Sequence, residues 1–227
     1  MSKKSVVYLI LTIIFIDQFS KIYIKLNFLP GQSLNVIGEW FQLHFVENEG
    51  MAWGWKFGGD FGKILLTLFR LVAVVWGTFL IKDFIEKKYH KGFITCAALI
   101  YAGALGNLID SMFYGLIFDT SCLANGKNCY VVANAFAGKG YSSFLHGKVV
   151  DMLYFPLVKG TIPSWSPLWG GEPFTFFSPV FNIADASISI GVITIFVCQG
   201  WFFKNETSTN NKTIETNIVV DDNAQVM

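Results

Sequence analysis

Long apolar runs separated by polar stretches dominate the chain, and their spacing predicts four membrane-spanning helices. The first run, Ser5 to Ile24, follows Lys3 and Lys4 and is broken only near its far end by Asp17, Gln18 and Lys21. It is long enough to cross a bilayer, and no small-x-small cleavage pattern follows a short apolar core, so a retained helix is expected over about 5–24. Two further runs predict helices over about 62–81, carrying Arg70, and about 93–113. Ser178-Pro179 offers an N-cap and first helical position for a fourth, over about 179–203.

Between these runs the period changes. In Trp40 to Glu47, Phe41, Leu43 and Phe45 alternate with more polar positions, as in a half-buried strand. Asn48-Glu49-Gly50 is turn chemistry, and Met51-Ala52-Trp53-Gly54-Trp55 supplies aromatics suited to a membrane interface. Residues 114–177 form a long polar and aromatic excursion. Within it, Asn125-Gly126 lies between Cys122 and Cys129 and signals a hairpin, with either a disulfide clip or two thiols at its base. Cys96 and Cys198 fall in helices and read as small core residues. Farther on, Gly147 to Pro156 is β-prone around Asp151, while the Trp- and Pro-rich stretch 163–173 reads as irregular.

Charge gives the topology. The loop Lys82 to Lys91 is rich in Lys and, like Lys3 and Lys4, is expected in the cytoplasm. Segments 25–61 and 114–177 then lie outside, and the polar tail 204–227 is expected to be disordered and cytoplasmic. The expected fold is a mainly α membrane protein: four transmembrane helices, a small extracytoplasmic β-sheet cradle and an enlarged external insertion, with residues 1–203 as one domain.

Composition agrees, with 53% hydrophobic residues against 15% charged. A net charge of +1 without a basic cluster leaves no footprint for nucleic acid. His44, His90 and His146 are scattered and form no H-E-x-x-H pair, so no metal site is expected, and G-x-S-x-G is absent. The acids remain. A carboxylate in hydrocarbon costs at least about 2.5–3.5 kcal/mol, so it needs a partner, a watery cleft or a reaction.

At about 1.5 Å per helical residue, Asp17, Asp110 and Asp185 all fall within roughly 10 Å of the outer boundary. Arg70 lies at a similar depth, and Asp151 can approach that level from outside. Asp17 and Lys21, four apart, also fit a simple neutralising pair. Asn107 and Asp110, three apart, project from one face beside Ala102-Gly103-Ala104-Leu105-Gly106, a small-residue stretch suited to close helix packing. Two carboxylates within hydrogen-bond reach cannot both ionise cheaply, so a pair supplies a base for water and an acid for a carbonyl. Spacing leaves open which two acids pair.

Five segments in order, Asp17-Gln18-Phe19-Ser20-Lys21, Asn48-Glu49-Gly50-Met51-Ala52-Trp53, Gly106-Asn107-Leu108-Ile109-Asp110, Val149-Val150-Asp151 and Phe181-Asn182-Ile183-Ala184-Asp185, resemble the motifs of the lipoprotein signal peptidases. These signal peptidase II enzymes are aspartic peptidases of the bacterial inner membrane. The resemblance implies a catalytic dyad at Asp151 and Asp185, activating water to cut before a diacylglyceryl-modified Cys in a prolipoprotein. It also implies that Asn107 and Asn182 hold substrate or inhibitor, and that Asp17, Lys21, Asn48, Gly50 and Asp110 support the site or bind substrate. For Asp110, support is favoured over catalysis. Expected partners are diacylglyceryl-modified prolipoproteins, membrane lipid and globomycin-type inhibitors. No cofactor is implied, and a site built within one chain suits a monomer.

Two departures stand out. The family usually has Arg directly after the acid of Gly-Asn-x-x-Asp, where this chain has Ser111, and Arg70 is expected to replace part of that charge. The spacings, 41 positions from Asp110 to Asp151 and 34 from Asp151 to Asp185, exceed the compact family pattern, which suggests an enlarged lid with residues 160–173 screening substrate. Two other readings are a proton-coupled transporter, disfavoured by cytoplasmic helix halves nearly free of ionisable groups, and a non-enzymatic membrane interaction protein.

Overall fold

The computed structural model describes residues 1–49, 59–124, 129–166, 171–176 and 179–203. Its elements run α1 (Lys3–Asn27), β1 (Ser33–Ile37), β2 (Phe41–Asn48), α2 (Gly59–Glu86) and α3 (Lys91–Ile109). A π-helical turn, Asp110–Tyr114, and the single turn α4 (Gly115–Ile117) extend α3. There follow β3 (Cys122–Ala124), β4 (Cys129–Val131), β5 (Val149–Tyr154), β6 (Val158–Thr161), β7 (Pro173–Phe176), β8 (Val180–Phe181) and α5 (Ile183–Phe202). Four helices, α1, α2, α3 with its extension and α5, are long and apolar enough to cross a membrane.

Their outward faces explain why these sequences tolerate so much exposed hydrocarbon. Phe15 and Phe19 on α1, Phe69 and Trp76 on α2, and Phe196 and Val197 on α5 are all largely exposed. In water such surface would be an aggregation hazard, whereas in a bilayer it meets acyl chains. Inside the bundle, close approach replaces hydrophobic contrast as the means of association. Gly103 shows this most clearly: a Cβ there would lie 2.2 Å from the Ala184 carbonyl oxygen, so only glycine lets α3 and α5 meet at this distance.

At one end of the bundle sits a four-stranded antiparallel sheet in the order β1-β2-β5-β8. In its register Val46 faces Asp151 and Glu47 faces Val150, after an irregularity between Leu43 and Val46. One face of the sheet packs onto the end of α1 and the π-turn through Ile24, Phe28, Phe45, Tyr114, Phe118, Val150 and Met152. Burying each such side chain contributes about 1.5–3 kcal/mol, so the core pins the sheet to the helices. The opposite end is marked by a Lys3–Glu86 ion pair and a second core of Val6, Ile81, Ile94 and Ala98.

The fourth membrane helix begins differently from expectation. It starts at Ile183, capped by Asn182, and Pro179 precedes the strand β8 instead of opening the helix. Pairing of Val180 and Phe181 with Tyr154 and Leu153 holds those residues extended. Asn182 then forms a capping box with Asp185, in which each side chain bonds the other's backbone N–H. Asp185 is therefore in the first helical turn. The stretch read as irregular, 163–173, joins two paired strands, β6 and β7, with Thr161 opposite Pro173. The tail from 204 lies outside the described residues.

Candidate active site

Three residues of α1 at helical spacing, Asp17, Lys21 and Lys25, point into the protein and are buried. The Lys21 ammonium lies 2.7 Å from Asp17 Oδ2, 2.8 Å from Asp110 Oδ2 and 2.9 Å from Asn107 Oδ1. One cation thus serves two carboxylates, and both need it, since buried charge is tolerable only when paired and hydrogen-bonded. Gln18 adds a second link, donating to Asp110 Oδ1 at 2.7 Å and to Asp17 Oδ2 at 3.1 Å. Tyr114 in turn donates to Gln18 Oε1 at 3.1 Å. Asp17 also accepts the Ala184 backbone N–H at 2.8 Å, tying α1 to the first turn of α5.

The π-turn shapes this cluster. Its wider spiral leaves Asp110, Ser111 and Tyr114 all buried, so that acid, hydroxyl and phenol share the inner side of one turn. Gly106, one turn earlier, has no room for a side chain: an added Cβ would lie 2.8 Å from Asp17 Oδ2.

Toward the sheet stand the other two acids. Asp151 on β5 and Asp185 on α5 are both held by Asn182. The Asn182 side-chain amide donates to Asp151 Oδ1 at 2.7 Å, and its backbone N–H donates to Asp185 Oδ2 at 3.4 Å. Each acid also has an amide of its own. Asn48 donates to Asp151 Oδ2 at 3.2 Å, and Asn107 donates to Asp185 Oδ1 at 2.7 Å. Burial, and then the negative charge of Asp185, push the Asp151 carboxyl up to about 7, against the opposing pull of the Asn48 and Asn182 amides. A carboxyl that keeps its proton near neutrality beside a second acid is the arrangement that acid–base catalysis requires.

Arg70 enters from α2. Its guanidinium donates to Ser111 Oγ at 3.0 Å, and Ser111 passes a hydrogen bond to the Asn107 carbonyl at 2.9 Å. From there it is within electrostatic reach of Asp185, Asp110 and Asp151. A cation thus stands beside the residue where the family motif has Arg.

The structure therefore brings together Asp17, Lys21, Asn48, Asn107, Asp110, Asp151, Asn182 and Asp185 in one continuous network. Gly50 lies outside the described residues, as do the side chains of Cys122 and Cys129, although their strands β3 and β4 do pair. The sequence reading gave no role to Gln18 or Tyr114. Gln18 is next to Asp17, and a polar residue there in an apolar run is the signal the sequence offers. Among the described residues no group of three or more His, Cys, Asp or Glu is placed to hold a metal.

Comparison with known proteins gives a consistent result. The family described as signal peptidase (SPase) II matches residues 9–202. The lipoprotein signal peptidase of Porphyromonas gingivalis is 48% identical over 197 residues, covering 86% of this chain and 82% of that protein. That of Amoebophilus asiaticus is 37% identical over 187 residues, covering 79% and 71%. A solved bacterial membrane enzyme shares the fold with a TM-score of 0.54 at 23% identity, over 87% of this chain and 93% of that one. Because the family match runs from α1 to the last residue of α5 and so takes in every residue of the network, this chain belongs to the signal peptidase II family.

Proposed function

We propose that Asp151 and Asp185 are the catalytic pair with which this signal peptidase II removes signal peptides from prolipoproteins, cutting just before a diacylglyceryl-modified Cys. The observation that carries the assignment is Asn182, which fixes both carboxyl groups through one residue. Asp17 and Asp110 instead share the Lys21 ammonium and serve as support.

In this mechanism Asp151 carries the proton and Asp185 is the base. Asp185 takes a proton from water, whose oxygen attacks the scissile carbonyl carbon, while Asp151 protonates the carbonyl oxygen. As the tetrahedral intermediate collapses, the C–N bond breaks, the proton held by Asp185 passes to the departing nitrogen, and Asp151 takes back a hydroxyl proton as the new carboxyl group forms. Asn48 and Asn107 hold the two carboxyl groups in place, and Asn107 and Asn182 are assigned the further role of holding substrate or a globomycin-type inhibitor.

Residues 1–203 act as one peptidase domain and, with every site residue on one chain, as a monomer. Both termini lie on the cytoplasmic side, with the sheet and the catalytic pair toward the periplasm. The Lys-rich loop between α2 and α3 and the N-terminus share the end of the bundle away from the sheet, which supports that orientation. The substrate's acyl chains remain in lipid along the exposed helix faces while its cleavage site meets the dyad at the membrane surface.

The test is cleavage of a diacylglyceryl-modified prolipoprotein by purified wild type, Asp151→Asn and Asp185→Asn, with thermal unfolding of each variant measured alongside. Each substitution is expected to lower turnover about 100-fold or more, the usual worth of a positioned acid or base. A well-folded variant retaining near-wild-type turnover would remove that residue from the pair.

A further inference from the structure

Glu47 is out of place by pattern. Side chains alternate along a strand, so Glu47 follows Phe45 onto the apolar face of the sheet, which its register partner Val150 shares. An apolar side chain would suit that position, whereas a carboxylate there needs a buried cation. Lys25 of α1 supplies it. Its ammonium pairs with Glu47 Oε1 and lies 5.0, 5.4 and 5.9 Å from the ring centroids of Tyr141, Phe118 and Phe45. The Ser121 hydroxyl donates to the same oxygen at 3.0 Å, and Lys148 reaches the other at 3.4 Å. A buried ion pair adds little stability over an apolar pair of similar volume, so stability alone does not account for it.

What the pair holds is the end of β2. Between Leu43 and Val46 the ladder shifts register, with His44 and Phe45 of β2 standing opposite the single residue Met152 of β5. Beyond this bulge only Val46, Glu47 and Asn48 pair, with Asp151, Val150 and Val149. Bulges beside an active site re-aim a side chain. The side chain aimed here is that of Asn48, the last residue of β2, which donates to Asp151 Oδ2 at 3.2 Å on the face opposite Glu47. A strand end of three residues past a bulge is held weakly by its ladder alone. Anchoring Glu47 to α1 from beneath sets the height and direction of the backbone that carries Asn48.

One helix then serves both acids. Lys21 of α1 holds Asn107, whose amide meets Asp185. Lys25, four residues farther along the same face, holds through Glu47 the strand end whose amide meets Asp151.

We infer that Glu47 and Lys25 are positioning residues for the peptidase reaction, holding Asn48 on Asp151 without touching substrate. The inference rests on Asp151 as the acid of the catalytic pair.

The test is kcat and KM of the full chain in detergent on a diacylglyceryl-modified prolipoprotein, with thermal unfolding of each protein. The variants are Glu47→Gln, the pair Lys25→Met with Glu47→Met, Asn48→Ala, that pair combined with Asn48→Ala, and Asp151→Asn. Replacing both charges together by adaptable apolar side chains is expected to leave unfolding close to wild type. In that paired variant and in Glu47→Gln, kcat is expected to fall about tenfold, the effect of a lost hydrogen bond to a charged group, with KM within about twofold of wild type. The Asn48 amide favours ionised Asp151, so its displacement lets that carboxyl rise, and the loss of activity with rising pH should move to higher pH in both variants. Asp185, Asn182, Lys21 and Arg70 also act on Asp151 and are unchanged in them. Added to Asn48→Ala, the paired change should lower kcat by less than about twofold more, because residues acting through one contact are not additive. With Asp151→Asn inactive, three results would each overturn the positioning role alone: wild-type kcat and pH profile in the folded paired variant, wild-type kcat in Asn48→Ala, or a second full loss when the two are combined. Cleavage by Asp151→Asn would overturn the assignment of Asp151 and this inference with it. Should the paired variant fail to fold, Glu47→Gln decides, and wild-type kcat there would overturn the inference.

Discussion

Replacing Lys21 with Met tests whether the deep charge cluster is support. Met fills similar volume and removes the ammonium that touches Asp17, Asp110 and Asn107 at 2.7, 2.8 and 2.9 Å. Asp17 keeps the Ala184 backbone N–H and Gln18, and Asp110 keeps Gln18 on one oxygen, but Asp110 Oδ2 has only Lys21 among the described residues. Breaking a buried ion pair from one side costs about 3–5 kcal/mol. At about 2–4 °C per kcal/mol for a chain of this size, unfolding is expected on the order of 10 °C lower.

Two readouts separate support from chemistry. Thermal unfolding in detergent should show the drop, and the triple variant Asp17→Asn, Lys21→Met, Asp110→Asn should recover much of it by removing all three charges together. Cleavage of a lipidated substrate, measured well below the unfolding temperature, should fall far less for Lys21→Met than for Asp151→Asn. Unchanged unfolding would refute the energetic reasoning. Unchanged unfolding with lost cleavage would move Lys21 into the reaction itself.

Four further outcomes follow from the geometry. With Asp151 pushed up to about 7, kcat/KM should decline as pH rises through that value and the pair loses its proton, and a pH profile that climbs steadily to pH 9 would contradict this. The same raised carboxyl contributes stability that is complete below about pH 4 and lost as pH rises toward 7, which unfolding midpoints across that window would register. Gly103→Ala, whose Cβ would lie 2.2 Å from the Ala184 carbonyl oxygen, should cost about 1–3 kcal/mol and lower cleavage by displacing Asp185, whereas wild-type unfolding and turnover would show that the interface yields freely. Arg70→Gln, which removes the charge beside Ser111, should reduce kcat/KM about tenfold while Ser111→Ala does less, and normal processing by Arg70→Gln would show that Arg70 does not stand in for the family Arg.

What could be read from sequence divides along a physical line. The spanning helices were legible because a bilayer demands an unbroken apolar run with every backbone group bonded internally. The Asp17 and Lys21 pairing was legible because helical spacing alone places them together. That Asp110 shares the same ammonium was not, since it depends on how α3 packs against α1 and on the π-turn that draws Asp110, Ser111 and Tyr114 inward together. The start of α5 differs from expectation for a similar reason: Pro179 is a good first helical residue locally, but β5 recruits Val180 and Phe181 into the sheet. The contacts of Glu47 with Lys25 and Lys148 were not legible, because Lys25 is on α1, Glu47 on β2 and Lys148 on the segment before β5.

The two tiers of charge are linked through the direction of their amides. Asn107 Oδ1 accepts from the Lys21 ammonium and from Asn182, so its Nδ2 is left to donate to Asp185. An ammonium offers only donors, and it therefore dictates which end of Asn107 meets the acid. Asn182 is oriented by a different constraint: its Oδ1 accepts the Asp185 backbone N–H in the helix cap, which turns its Nδ2 toward Asp151. Both acids consequently receive donors from fixed amides. Lys21 can thus matter to the reaction without touching substrate, by holding Asn107 the right way round for Asp185.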